Sequence, residues 1–327
     1  MRRGPSVAKK PMDAILNRVL FAIAAAIVGI DAAWVIAGHF AIDVRNYALL
    51  LLLVPPLAGA AMFYSRVRRE PALSATLAAS AFLIVFSAGC CLLSYLALTI
   101  AGPRIDDLLA GIDHAMGFSW TAVMTLAADH RLTTAFLGFA YLSVMPQIVL
   151  LILVLGWQQR SADIYGLSLS LAIGALIAVA VWALFPSFGA FSVFDLPPAV
   201  SAKLGLALDG DYGRDLVAML KNGPGFISPK ELRGIIGFPS YHTVQALVLI
   251  WYARNVPWLR WAALLLNVLV LIATPIHGGH HLIDLIGGGA VALAAIVLAD
   301  RIVREAQRRA GIATFPVATQ GKQPVAA

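Results

Sequence analysis

Charge is scarce in this chain. Only 13% of its 327 residues are Asp, Glu, Lys or Arg, against 60% apolar residues and a mean hydropathy of +0.84. A water-soluble globule carries about a quarter charged residues, so that class is excluded and a polytopic membrane protein takes its place. Cysteine is scarcer still. The two present, Cys90 and Cys91, are neighbours inside an apolar run. Adjacent side chains on a helix point apart, which rules out a disulfide framework or a cysteine metal site and leaves small apolar fillers. Internal repeats, heptad arrays and low-complexity tracts are lacking as well. The net charge of +7 would suit nucleic acid if the basic residues formed a stripe. They flank apolar runs instead, so they report topology, and nucleic acid is excluded as a partner.

Apolar runs at 15–38, 47–64, 73–101, 133–156, 163–186, 239–254, 257–274 and 280–301 are each near the length that crosses a bilayer, giving an all-α polytopic helical bundle of about eight transmembrane helices. The first run is longer than the apolar region of a cleaved signal peptide, and further spans follow it. With the basic arm 1–12 inside, every short cytoplasmic connection holds a cation: Arg66, Arg68 and Arg69 in 65–71, Arg160 in 158–163, Arg254 in 254–257, and Arg301, Arg304, Arg308 and Arg309 after the last span. Both termini are then cytoplasmic, and the arm 1–12 and much of the tail 305–327 read as disordered. Residues 13–101 supply three N-terminal helices, and 102–304 form a second membrane domain.

The outer connections are acidic or mixed. Segment 103–131 carries Asp106, Asp107, Asp113, His114, Asp129 and His130 among apolar residues and reads as one or two interfacial helices, with the lone histidines at the surface. The long connection 187–238 is balanced in charge, and its Lys230 and Arg233 stand just upstream of a histidine motif, where they are candidate cations for a phosphate. Asp31, Gln147 and Asn267 fall within spans, where structural hydrogen bonding is their expected role.

Histidine is where the chemistry concentrates. Three of the seven histidines lie in Thr-Pro-Ile-His-Gly-Gly-His-His-Leu-Ile-Asp at 274–284. If the run after Gly279 is helical, His280 and Asp284 share a face, and the carboxylate fixes the tautomer and basicity of an imidazole that attacks a substrate or holds a metal. Upstream, Gly-Phe-Pro-Ser-Tyr-His at 237–242 opens another apolar run, with Ser240 as N-cap and His242 in the first turn. Two histidines thus open two membrane helices on the same side, and helix N-termini favour anions such as phosphate. The plainer alternative is an interfacial helix cap.

Pro-Ser-Tyr-His at 239–242 resembles the Pro-Ser-Gly-His motif of the type 2 phosphatidic acid phosphatase (PAP2) superfamily. Its later motif, Ser-Arg, five residues, His, three residues, Asp, has the spacing of Ala273-Thr274, His280 and Asp284. The Thr in that pair and the doubled histidine resemble the inositol phosphorylceramide synthase branch, as does Leu-Phe-Pro-Ser-Phe-Gly-Ala-Phe at 184–191 more weakly. The first motif of the superfamily, Lys, six residues, Arg-Pro, has no copy. The resemblance implies a metal-independent, cofactor-free lipid phosphatase or phosphotransferase in which His280 attacks phosphorus, Asp284 orients it and His242 is the acid and base. Ser240 and Thr274 would join Lys230 and Arg233 in substrate binding. The implied partners are a lipid phosphate and the bilayer, in a bacterial inner membrane with the site extracytoplasmic. Topology alone fits a eukaryotic endomembrane equally, and oligomeric state is left open. Two other classes stand beside this one: a metal hydrolase built on His277, His280 or His281 with Asp284, and a non-catalytic transporter.

Overall fold

In bilayer hydrocarbon every backbone N–H and C=O must be satisfied within the protein, and helices, the only regular elements longer than an isolated bridge among the described residues, answer that demand. The computed structural model describes residues 11–204, 206, 212–231 and 233–312. The basic arm and the end of the tail lie outside the described residues. The long helices are α1 (Met12–Gly38), α4 (Pro71–Ala97), α9 (Ser161–Leu184), α13 (Arg260–His277) and α14 (Leu282–Ala310). Between α1 and α4 the chain crosses in pieces, α2 (Val44–Leu50) and α3 (Val54–Phe63). Pro55 and Pro56 open α3, and the turn before it tightens because a proline donates no amide to the preceding carbonyls.

Two short helices, α5 (Asp106–Ala115) and α6 (Trp120–Asp129), follow the N-terminal hairpins, then α7 (Arg131–Leu142) and α8 (Val144–Trp157). Among the described residues, six helical stretches are long and apolar enough to cross a membrane, and the pair α7 and α8, bent by 47°, makes a seventh if it is one span. After α10 (Pro198–Ser201) and α11 (Tyr212–Asn222) comes α12 (Tyr241–Ala253), which occupies the run 239–254. With 13 residues, α12 spans only about 20 Å, short of a bilayer core. Its N-terminus therefore starts within the bundle, and Ser240 before it is fully buried.

Helix α9 is central, packing against α14, α4 and α12, while α13 joins α12 to α7. The core is mainly aliphatic, with Leu167, Leu169, Val244 and Val248 fully buried alongside the aromatic Tyr165. Outward-facing Phe21, Leu132, Leu265 and Leu293 are exposed, as lipid-facing residues are in a bundle of this kind. Asn267 donates from Nδ2 to Gln147 Oε1 at 2.7 Å, tying α13 to α8. Asp31 departs from its expected structural role: it is buried on α1, and its Oδ1 has no hydrogen-bond partner among the described residues. At the far end α14 continues helically to Ala310, past the expected span and into the segment read as tail.

Candidate active site

The two histidine motifs converge. The Ser240 amide donates to the Asp284 carbonyl at 3.0 Å, and the rings of His242 and His280 stand 6.4 Å apart, centroid to centroid, at 66°. Ser240 accepts the Thr243 amide at 3.4 Å, capping α12. His280 itself is not helical, since α14 begins at Leu282 with His281 as its N-cap. Its contact with Asp284 arises differently from the shared helix face that the spacing predicts. Asp284, at the third helical position, reaches back and accepts the His281 amide at 2.9 Å and the His280 Nδ1–H at 3.1 Å through one oxygen, Oδ2. That commits His280 Nδ1 and leaves Nε2 without a hydrogen-bond partner among the described residues.

The approach to His280 depends on glycine. Gly279 has φ +63°, and a Cβ there would lie 1.9 Å from the Phe191 ring, so neither its backbone nor its neighbour admits a side chain. Its carbonyl accepts the Ala190 amide, which brings the loop 187–191 against the backbone next to His280. The same loop meets the other motif, because the Gly237 amide donates to the Ser187 carbonyl at 2.7 Å.

Asp106 holds that loop. Its Oδ1 accepts the Ser187 hydroxyl at 2.7 Å and the Phe188 and Gly189 amides at 2.9 Å each, while Arg104 Nε approaches Oδ2 at 2.9 Å. Burial pushes the Asp106 carboxyl above its usual range, opposed by the Ser187 hydroxyl, Arg104, the Gly189 amide and His281. Two turns along α5, Asp113 accepts the Leu282 amide at 2.8 Å and the Ile283 amide at 3.0 Å. His281, with no exposure, stands between the two carboxylates, 4.0 Å from Asp106 and 3.5 Å from Asp113. Segment 103–131 therefore corrects the interfacial expectation in part: Asp106 and Asp113 are buried, while Asp107, His114 and His130 are exposed.

This arrangement changes where an anion can be held. The mouth of α14 is already occupied by the carboxylates of Asp113 and Asp284, so its amides do not face an incoming phosphate. At α12, by contrast, the amides of Tyr241 and His242 have no protein acceptor among the described residues.

Two of the remaining sequence candidates, Thr274 and Ser240, lie within the histidine motifs, and Lys230 and Arg233 lie on the connection before them. Thr274 is fully buried and donates its hydroxyl to the Val270 carbonyl at 2.7 Å. Ser240 has its hydroxyl engaged as a cap and no exposed surface. Lys230 is exposed beside the turn of the first hairpin, where Ile42 bridges to Ile227. There Asp43 is held below the usual carboxylate range, chiefly by Asn46, then by Ser228, with Lys230 assisting. Arg233 lies 3.9 Å from Asp215, and its backbone bonds the Tyr95 hydroxyl. His277 turns towards α7, donating Nε2–H to the Thr134 carbonyl at 2.9 Å, away from His280. Reasoning from sequence passes over Tyr141 of α7, stacked on His242 at 4.3 Å and 20°. It also passes over the site role of Asp106 and Asp113, whose seven-residue spacing puts them on one face of a helix and was the available signal.

No curated protein and no solved structure matches the chain. A family model of the PAP2 superfamily does, over residues 107–298. That stretch is more than half of the 327 residues, and it begins just after Asp106 and takes in His242, His280 and Asp284. On that match, the chain belongs to the PAP2 superfamily.

Proposed function

We propose that this protein is a metal-independent phosphatase or phosphotransferase acting on a lipid phosphate, a phospholipid or an isoprenyl phosphate, at the extracytoplasmic face of a bacterial inner membrane. The observation that carries the reading is the His280 ring, pinned through Nδ1 by Asp284 and presenting Nε2 beside His242. A nucleophile held by an orienting carboxylate, with a second imidazole within reach, is the arrangement that phosphoryl transfer through a covalent intermediate needs.

His280 Nε2 attacks phosphorus and forms the P–N bond as the P–O bond to the leaving group breaks. The proton of His242 goes to the leaving oxygen. In the second half-reaction the acceptor hydroxyl gives its proton to His242, attacks phosphorus and releases His280. Asp284 stabilises the positive charge that the ring gains. The free amides at the start of α12 are placed to share the negative charge of the transferred group.

A headgroup transfer like that of inositol phosphorylceramide synthases is the second reading. It is favoured by the enclosure of the pair, since His280 is 4% exposed, and a pocket that excludes water favours a lipid hydroxyl as acceptor.

The test is phosphate release in detergent from phosphatidic acid, lysophosphatidic acid and isoprenyl pyrophosphate, with EDTA present and His280→Ala alongside. Release that persists in EDTA and disappears in the variant supports the phosphatase. Headgroup transfer from phospholipid donors to hydroxyl-bearing acceptors, without phosphate release, supports the second reading. Neither activity across the panel would overturn both.

A further inference from the structure

His280 has an orienting partner in Asp284. His242, which must present one nitrogen to a leaving group and later to an acceptor, needs the same service, and no carboxylate contacts it among the described residues. What does contact it is Tyr141. Its hydroxyl lies 3.4 Å from His242 Nδ1, and its ring stacks on the imidazole at 4.3 Å. A separation of 3.4 Å is long for a hydrogen bond, but such contacts tighten when substrate closes the site.

The position of that hydroxyl is built in. Tyr141 is 8% exposed, and its ring also stacks with His277, 6.1 Å away, whose Nε2 is tied to the Thr134 carbonyl. A Cβ on Gly278 would fall 2.9 Å from the Tyr141 hydroxyl and 2.8 Å from His280 Cδ2. The absence of a side chain at Gly278 is therefore what lets the phenol stand beside both imidazoles. Helix α7 contributes this residue from outside either histidine motif.

We propose that Tyr141 is a positioning residue for phosphoryl transfer. Its hydroxyl accepts from Nδ1–H of His242, selecting the neutral tautomer whose Nε2 is bare and free to take the acceptor's proton, and keeps that bond in the imidazolium, whose Nε2–H goes to the leaving oxygen. His242 Nε2 is thereby the nitrogen that serves the leaving group and the acceptor. The inference rests on the proposed reaction for its consequence, but its geometry is testable without any turnover.

The experiment compares wild type with Tyr141→Phe, which keeps the ring and the stack and removes only the hydroxyl. In protein labelled with ¹⁵N-histidine, the neutral His242 ring of wild type should show the Nδ1–H tautomer, and that of Tyr141→Phe a mixture of the two. In the phosphate-release or transfer assay, kcat should fall about ten- to a hundredfold with KM little changed, the loss typical when the partner that orients an imidazole is removed. The limb of the pH–rate profile that belongs to His242 should move. An inactive wild type would overturn the proposed reaction, with the tautomer measurement still deciding the role of Tyr141. Unchanged His242 resonances in Tyr141→Phe, or an unchanged kcat and pH profile in an active protein, would overturn the positioning role and leave the tyrosine as packing. Should Tyr141→Phe fail to fold, the wild-type spectrum decides: a neutral His242 protonated on Nε2 contradicts the proposal.

Discussion

Replacing Asp113 by alanine should loosen the first turn of α14 and disarm His280 without touching either histidine. The carboxylate is 3% exposed and accepts two backbone amides, Leu282 at 2.8 Å and Ile283 at 3.0 Å. A hydrogen bond to a charged group contributes about 1.5–3 kcal/mol, and here its loss leaves two half-buried amides at a helix start without acceptors. The two bonds share one carboxylate and are not additive, so a local loss of about 3 kcal/mol is the working figure. At 1.4 kcal/mol per tenfold, that is roughly a hundredfold faster amide exchange. Hydrogen exchange followed by mass spectrometry on peptides covering 282–283 reads this directly. Asp113→Asn keeps one acceptor oxygen and should fall between wild type and alanine. Because Asp284 sits one residue beyond Ile283, turnover should drop as well, by about a hundredfold for a displacement near 1 Å. Exchange at 282–283 that matches wild type in Asp113→Ala would refute the reasoning, since the carboxylate would then contribute nothing to holding the helix mouth.

Asp284→Asn should retain the fold but lose about three to four orders of magnitude in turnover, as when an imidazole's orienting carboxylate is neutralised in other triads, measured as phosphate release or headgroup transfer. Gly279→Ala should prevent accumulation of monodisperse protein, and Phe191→Ala in the same chain should partly restore it by removing the ring 1.9 Å from the new Cβ; size-exclusion chromatography in detergent separates the outcomes. Asn267→Leu should cost about 1 kcal/mol by breaking the link from α13 to α8, with activity retained, as checked by detergent-titrated unfolding alongside turnover. Removal of divalent cations by EDTA should leave turnover at its untreated rate, since the proposed chemistry is carried by imidazoles and backbone amides.

The helical bundle was legible because hydropathy reports burial in lipid directly, and the pairing of His280 with Asp284 was legible because four-residue spacing survives even when the helix begins two residues late. Other features were hidden for physical reasons. The shortness of α12 follows from where the chain turns inward at Pro239 and Ser240, which an apolar run of 16 residues at 239–254 does not reveal. Asp106 and Asp113 read as part of interfacial helices because short-range composition carries no information on the loop 187–191 and the α14 amides that they hold. Lys230 and Arg233 are near the histidine motif in sequence, but the bridge of Ile227 to Ile42 and the bond of Arg233 to Tyr95 draw them toward the N-terminal hairpin and α4. Tyr141 lies in an apolar helix with no motif around it, and only the tertiary contact of α7 with α13 brings it to the site.

The central claim is that phosphorus is transferred through His280. The most direct test is to quench the protein during turnover of a ³²P-labelled lipid phosphate, digest it, and ask where acid-labile, base-stable label resides. The account predicts label on the peptide that contains His280, formed in EDTA and absent from His280→Ala. Turnover at full rate with no label on that peptide, or with label that persists in His280→Ala, would contradict it.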